Sequence, residues 1–253
     1  MSETLTDGKI ACLPDTPEVG GVSVRDESEA VAKGCELILG YRQQRLCVWH
    51  PGGHESPVSV DFGYGSLNGS QGHGALGYRL AADRVRHERV VRAVGKCPEQ
   101  GRLVDATAGL GRDSALLAAA GWQVVMLERQ PVLQALLRDG LSRAGDFATR
   151  MTLEAGDSRD WLVGHPDSMD VVYLDPMFPQ RSKSAAIKKE LLWVQQLCSV
   201  DSQQDEQVLL SAGLVCARRR VVVKRPLRAP PLAGVAPASS LTGKTVRFDI
   251  YPK

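Results

Sequence analysis

Four short apolar runs between residues 102 and 175 each lead into a glycine or a carboxylate, and this recurrence constrains the fold more than any other feature. The runs cover residues 102–106, 122–128, 151–155 and 170–175, and the residues at or just past their ends are Gly109, Glu128, Asp157 and Asp175. Runs of five to seven residues separated by helix-length stretches predict parallel strands covered by helices on both faces. A fifth run at 219–224 continues the series. A helix is predicted from about Gly77, with later ones at 183–199 and 204–217, and a closing hairpin at 237–241 and 245–251 around Thr242-Gly243-Lys244.

In open α/β sheets, ligands sit outside the carboxyl ends of the strands, near the switch in strand order. Asp105 closes the first run, and the turn Ala106-Thr-Ala-Gly109-Leu-Gly111 after it precedes a helix that starts at Arg112-Asp113. Glycines there let backbone approach a ligand, and the helix start offers free N–H groups. Ser114 stands where the dinucleotide fingerprint has its third glycine, which counts against NAD or FAD. Glu128 is placed to accept from ribose hydroxyls, and Asp157, followed by Ser158, from an adenine amino group. Together these residues fit S-adenosylmethionine better than a dinucleotide.

The fourth run ends in Asp175-Pro176-Met177-Phe178-Pro179, which resembles the catalytic tetrapeptide of amino-group methyltransferases. An aromatic amine is a poor nucleophile because its lone pair is delocalised into the ring. A carboxylate (Asp175) and a backbone carbonyl (Pro176) accept the amine protons, while an aromatic ring (Phe178) stacks on the base and aligns it with the methyl donor. Such positioning is worth roughly 7–11 kcal/mol in a well-arranged site.

The first 76 residues read differently. Candidate strands at Lys9–Leu13, Glu36–Leu39, Arg45–Trp49 and Val58–Phe62, separated by Pro, Gly and Asp turns, predict a small β-rich lobe. A glycine-rich connector, Gly63 to Gly74, joins it to a second domain, 77–253. With 253 residues and 43% hydrophobic content, the chain can bury one full α/β domain and a small appendage. No stretch reaches the roughly 18 apolar residues of a membrane span, and the start Met1-Ser-Glu-Thr has no signal-peptide core. A cytoplasmic protein, monomeric by default, is expected. The six cysteines form no Cys-x-x-Cys pair, so reduced thiols are expected. Cys47, His50 and His54 lie close together, but a zinc site needs a fourth ligand, so no metal is expected there.

The formal net charge of +2 hides an asymmetry. Residues 1–61 carry ten acidic against five basic side chains, leaving 26 basic against 19 acidic in the rest. Arg79, Arg84, Arg86, Arg89, Arg92 and Lys96 fall along one predicted helix. Arg181, Lys183, Lys188 and Lys189 follow the Asp175 loop, and Arg218, Arg219, Arg220, Lys224, Arg225 and Arg228 surround the late strand. Such clusters can neutralise phosphates, and the second lies where an RNA backbone would pass the proposed catalytic loop.

The segments Asp105–Asp113, Met126-Leu-Glu-Arg129, Val171–Pro179, Lys188-Lys-Glu190, Val221-Val-Val-Lys-Arg-Pro226 and Arg247-Phe-Asp-Ile-Tyr251 resemble the ribosomal RNA small subunit methyltransferase J family. The match covers most of residues 100–251. It implies a class I S-adenosylmethionine-dependent methyltransferase with a Rossmann-like, mostly parallel seven-stranded sheet. It also implies methylation of the exocyclic N2 of a guanine in 16S rRNA, guanine 1516 in the usual rRNA numbering, with 16S rRNA or the small ribosomal subunit as partner. Cofactor contacts are implied at Arg112, Asp113, Glu128, Arg129, Asp157, Ser158 and Asp175, with Arg112 able to pair with the methionyl carboxylate. The segment Tyr78–Arg86 departs from the family, which has a basic stretch with consecutive glycines there. Competing readings are an amino-methyltransferase acting on another RNA, DNA or a protein amide, a dinucleotide-dependent oxidoreductase, and a non-catalytic RNA-binding assembly factor.

Overall fold

The computed structural model describes residues 9–54, 56–63, 74–177 and 203–253. Its first sheet has four strands: β1 (Ile10–Cys12), β2 (Val22–Ser23), β3 (Leu37–Arg42) and β4 (Arg45–Trp49). They lie in the order β2-β1-β3-β4, with β1 parallel to both neighbours and β3-β4 a hairpin. Between β2 and β3, helix α1 (Glu27–Ala32) is capped by Asp26, whose carboxylate accepts from the Glu29 N–H. Neither β2 nor α1 is foreshadowed by the hydrophobic pattern, because both are short and mostly exposed.

The predicted strand Val58–Phe62 does not form. Only Val58 bridges to Val48, and the chain then leaves the sheet because Val60 and Phe62 are drawn into the second layer of the molecule. The long basic helix is also replaced, by three short ones: α2 (Gly74–Leu80), α3 (Ala82–Val85) and α4 (Arg89–Val94). Extended backbone at Ala81 and Glu88 breaks the run, and the Glu88 carboxylate accepts both Arg79 Nε and Nη2 at 2.8 Å across the breaks. The chain thereby wraps a neighbouring helix instead of running straight, and Lys96 falls beyond the last turn.

The large sheet comprises β5 (Arg102–Asp105), β6 (Gln123–Glu128), β7 (Met151–Ala155), β8 (Met169–Leu174), β9 (Ala217–Pro226), β10 (Ser239–Thr242) and β11 (Val246–Pro252). Its order is β10-β11-β9-β8-β5-β6-β7, parallel except for β11. The interior strands are almost wholly buried, whereas β7 at the edge is half exposed, as sheet position requires. The connecting helices are α5 (Arg112–Ala119), α6 (Pro131–Ser142), α7 (Ser158–Gly164) and α8 (Gln203–Cys216). This is the class I methyltransferase architecture with a small β-rich amino-terminal lobe. Strand order reverses between β5 and β8, which fixes where a ligand crevice opens. Phe178, the helix predicted at 183–199, the basic cluster Arg181 to Lys189 and most of the glycine-rich connector lie outside the described residues.

One hydrophobic cluster runs without interruption from Ile38 and Leu46 of the first sheet to Leu117 and Leu136 of the second layer. Polar contacts pin the same seam: the Leu46 N–H donates to Asp139 at 3.1 Å, and Arg143 Nη2 donates to the Val60 carbonyl at 2.6 Å. Gly140 lets Val60 lie against α6, since an ideal Cβ there would come within 2.4 Å of Val60 Cγ1 and 3.2 Å of its carbonyl oxygen. Alanine gains about 1 kcal/mol of helix propensity over glycine, while overpacking a fixed seam costs about 1–3 kcal/mol. Valine is stiff at χ1 and cannot yield easily, so Gly140→Ala is expected to destabilise the protein. Urea unfolding tests this, and a midpoint equal to or above wild type would contradict the packing described.

Candidate active site

The carboxyl ends of β5, β6, β7 and β8 open into a solvent-facing cleft, where ligands of open α/β sheets sit. Of the residues singled out from sequence, Gly109, Glu128, Arg129, Asp157, Ser158, Asp175 and Pro176 line it together. Asp105, Gly111, Arg112 and Asp113 are not in its wall. Phe178 is not among the described residues.

The turn after β5 is shaped by positive backbone φ at Gly109 (56°) and Gly111 (70°). The two glycines serve different ends. A Cβ on Gly109 would meet only the Thr107 carbonyl at 3.9 Å, so this position leaves open space for a ligand. A Cβ on Gly111 would strike Leu137 at 2.9 Å and Phe62 at 3.0 Å, so its demand for glycine comes from core packing under the amino-terminal lobe.

Glu128, buried at the end of β6, uses Oε2 to accept the Gly109 N–H at 2.9 Å and Oε1 to accept the Gln130 N–H at 2.8 Å. Burial pushes its carboxyl up, and the backbone donors only partly offset this. The Arg129 N–H is a third backbone donor to the same carboxylate. Asp157 caps α7, but its carboxylate is held by Arg159: Oδ1 accepts the Arg159 N–H at 2.8 Å and Nε at 2.9 Å, and Oδ2 accepts Nη2 at 2.6 Å. These Arg159 bonds hold its carboxyl below the usual range. Arg159 also pairs with Asp205 on α8, so one guanidinium joins α7 and α8 beside the cleft. Nothing in the sequence pattern marked Arg159.

Asp105 lies beneath the cleft, 1% exposed. It accepts Ser114 Oγ at 2.5 Å and the Thr107 N–H at 3.1 Å, and Thr107 Oγ1 in turn accepts the Asp175 N–H at 2.6 Å. The buried carboxylate thus shapes the turn that fixes the Asp175 backbone. Burial raises its pKa to about 7, with the Ser114 and Thr107 bonds opposing. A folded-state pKa raised from 3.8 makes folding favour the protonated acid. The resulting stability is present in full below about pH 4 and lost as pH rises through about 7, on the order of 4 kcal/mol. Asp105→Asn is expected to flatten that limb in urea midpoints measured from pH 4 to 8; an unchanged slope would contradict the assignment.

Asp175 follows β8. Its Oδ2 accepts Lys224 Nζ of β9 at 2.8 Å, and the same ammonium donates to Asp113 Oδ2 of α5 at 2.8 Å. Asp113 also accepts the Tyr173 hydroxyl at 2.7 Å. Burial pushes the Asp175 carboxyl up, Lys224 counteracts this, and the like charge of Asp113 adds to the rise. Burial would likewise raise Asp113, yet Lys224 prevails and its carboxyl falls. Lys224 and Arg225 are therefore corrected from the phosphate-binding cluster: Lys224 is three-quarters buried between two carboxylates, and Arg225, 2% exposed, pairs with Glu206. A lysine closing the apolar run Val221-Val-Val223 was the available sign, since charge at a buried strand end requires a partner. In the lobe, Cys47 is buried in β4 and the His50 ring lies 2.9 Å from the Glu36 carbonyl oxygen.

The cleft suits S-adenosylmethionine on structural grounds: open space above Gly109, a buried carboxylate at Glu128 for diol hydroxyls, and Leu127, Leu209 and Met177 as apolar surface for a purine. Comparisons agree. A family model described as "Putative SAM-dependent methyltransferase" matches residues 30–253. Ribosomal RNA small subunit methyltransferase J of Alcanivorax borkumensis is 46% identical over 249 residues, covering 97% of this chain and 96% of that protein. The protein of that name from Thioalkalivibrio sulfidiphilus is 48% identical over 77% of this chain and 76% of its own length. Among solved structures, a SAM-dependent methyltransferase from Neisseria gonorrhoeae superposes with a TM-score of 0.62 at 30% identity, covering 96% of this chain and 95% of its own.

Proposed function

The chain belongs to the ribosomal RNA small subunit methyltransferase J family of S-adenosylmethionine-dependent enzymes, and from that premise we propose that it methylates the exocyclic N2 of a guanine in 16S rRNA, guanine 1516 in the usual rRNA numbering. The observation that carries the chemistry is the placement of Asp175 and Pro176 on the wall of the same cleft as Glu128. When bound, the cofactor supplies an electrophilic methyl group on a sulfonium. Glu128 would hold its ribose hydroxyls, the Asp157–Ser158 turn its adenine and Arg129 its charged end, while Arg112, outside the cleft wall, is the carboxylate partner that the family resemblance implies. Asp113 acts through Lys224.

On the acceptor side, Asp175 takes a hydrogen bond from the guanine amino group through Oδ1 while Oδ2 stays on Lys224. The Pro176 carbonyl accepts the second N–H, and stacking on the base is the role that the sequence motif assigns to Phe178, which lies outside the described residues. Held this way, the nitrogen lone pair would be aimed at the methyl carbon that the sulfonium supplies, with the electron pair of the C–S bond going to sulfur as the leaving group. The cationic nitrogen then loses a proton to Asp175 or water. A paired guanine must be exposed or flipped to reach this position. The substrate places the enzyme in the cytoplasm, acting as a monomer on 16S rRNA or the small subunit; among the described residues no helix is long and apolar enough to cross a membrane.

Offering labelled S-adenosylmethionine with small-subunit RNA, duplex DNA and ribosomal protein in parallel tests the substrate class. Label in RNA alone is expected. Label confined to DNA or protein would overturn the reading, and RNA binding without any transfer would favour an assembly factor.

A further inference from the structure

We infer that Lys224 is a positioning residue for methyl transfer, holding one oxygen of Asp175 so that the other is presented to the amine. The inference rests on the reading of Asp175 given above. Lys224 Nζ stands 2.8 Å from both Asp113 Oδ2 and Asp175 Oδ2. It reaches the site from β9, whereas the carboxylates come from α5 and from the end of β8. One charge thus ties together three elements at the switch in strand order. The Tyr173 hydroxyl donates to Asp113 and completes a chain from Tyr173 through Asp113 and Lys224 to Asp175.

The arrangement answers two physical demands. An exposed aspartate is free to turn about χ1 and χ2, and a misdirected acceptor loses much of the gain from pre-orientation. Here the Asp175 backbone is fixed by Thr107 Oγ1 and its Oδ2 by Lys224, so among the described residues Oδ1 is the oxygen with no hydrogen-bond partner and faces a ligand. The second demand is charge. Asp175 shares its surroundings with Asp113 and Asp105, both like charges when ionised, and with the Tyr173 hydroxyl; Lys224 and Arg225 of β9 oppose them, and Arg79 of α2 acts on Asp113. Two carboxylates on one ammonium stay ionised together only while that ammonium is present.

Four variants separate the roles: Lys224→Met, Lys224→Arg, Asp113→Asn/Lys224→Met and Asp175→Ala. Each is assayed for kcat and KM with small-subunit RNA from pH 5 to 9, for cofactor Kd by calorimetry, and for folding by thermal melting. Lys224→Met is expected to lower kcat about 10–100-fold, to leave cofactor Kd within about threefold, and to move the acid limb of kcat up by about one pH unit or more. The direction follows because loss of the ammonium raises the pKa of Asp175. Lys224→Arg is expected to return the acid limb toward its original position. If Lys224→Met does not fold, the double variant, relieved of the Asp113 charge, is expected to fold and still to turn over slowly.

A Lys224→Met or double variant with wild-type kcat and an unmoved acid limb would overturn the inference. So would a kcat loss with an unmoved limb that Lys224→Arg does not restore, because a merely structural lysine predicts that pattern. Full turnover by Asp175→Ala would instead sink the reading of Asp175 itself. An inactive Asp175→Ala beside a fully active Lys224→Met would leave that reading intact and remove only this inference.

Discussion

Asp175→Ala is expected to lower kcat with small-subunit RNA by about 10²–10⁴-fold, the range for loss of a positioned proton acceptor. The loss should appear in kcat more than in the KM for RNA, since the contact aligns the amine and takes its proton as the nitrogen becomes cationic. Cofactor affinity should change little, because Glu128 is the residue proposed to accept the diol, and the backbone N–H of residue 175 can still donate to Thr107 Oγ1. Lys224 retains Asp113 as partner, so no buried cation is stranded. Single-turnover kinetics with calorimetry check both halves. Retention of full turnover, or a loss confined to cofactor Kd, would contradict the assignment.

The second large effect is on cofactor binding. Glu128→Ala removes the charged acceptor for two ribose hydroxyls, each bond worth about 1.5–3 kcal/mol, so S-adenosylmethionine affinity should fall at least 100-fold. The same change leaves the N–H groups of Gly109 and Gln130 without the carboxylate they use, at about 1–3 kcal/mol each where they stay buried. Stability without cofactor should therefore fall as well. Glu128→Gln retains acceptor oxygen but not charge, and should lie between wild type and alanine in both readouts. Titration calorimetry and urea unfolding measure these separately. Wild-type affinity in Glu128→Ala would remove this residue from the cofactor site.

The parts of the molecule legible in sequence were those governed by continuous burial. Met151–Ala155 and Arg45–Trp49 form strands with the predicted bounds, and the other six large-sheet strands fall within two residues of theirs at either end, the interior β5, β6 and β8 because parallel strands covered on both faces need unbroken apolar runs. The site residues at strand ends were legible for the same reason, since chain direction in a parallel sheet brings every carboxyl end to one edge. What was not legible depends on contacts distant in sequence. Val60 leaves the first sheet to meet Gly140, eighty residues away, and Phe62 claims the space beside Gly111. The arginines near residue 79 suit a single helix until Glu88 folds the chain back on Arg79. Lys224 reads as part of a phosphate-neutralising cluster and Arg159 goes unmarked, and only the assembled fold puts Asp113 and Asp175 beside the first and Asp205 beside the second.

The most direct test of the central claim is nucleoside analysis of small subunits that lack the modification, after incubation with this protein and methyl-labelled S-adenosylmethionine, followed by mapping of the labelled base. The account predicts label in N2-methylguanosine at one guanine of 16S rRNA, at position 1516, with none from Asp175→Ala. Label at a ring nitrogen or in another base, or equal label from Asp175→Ala, would contradict it.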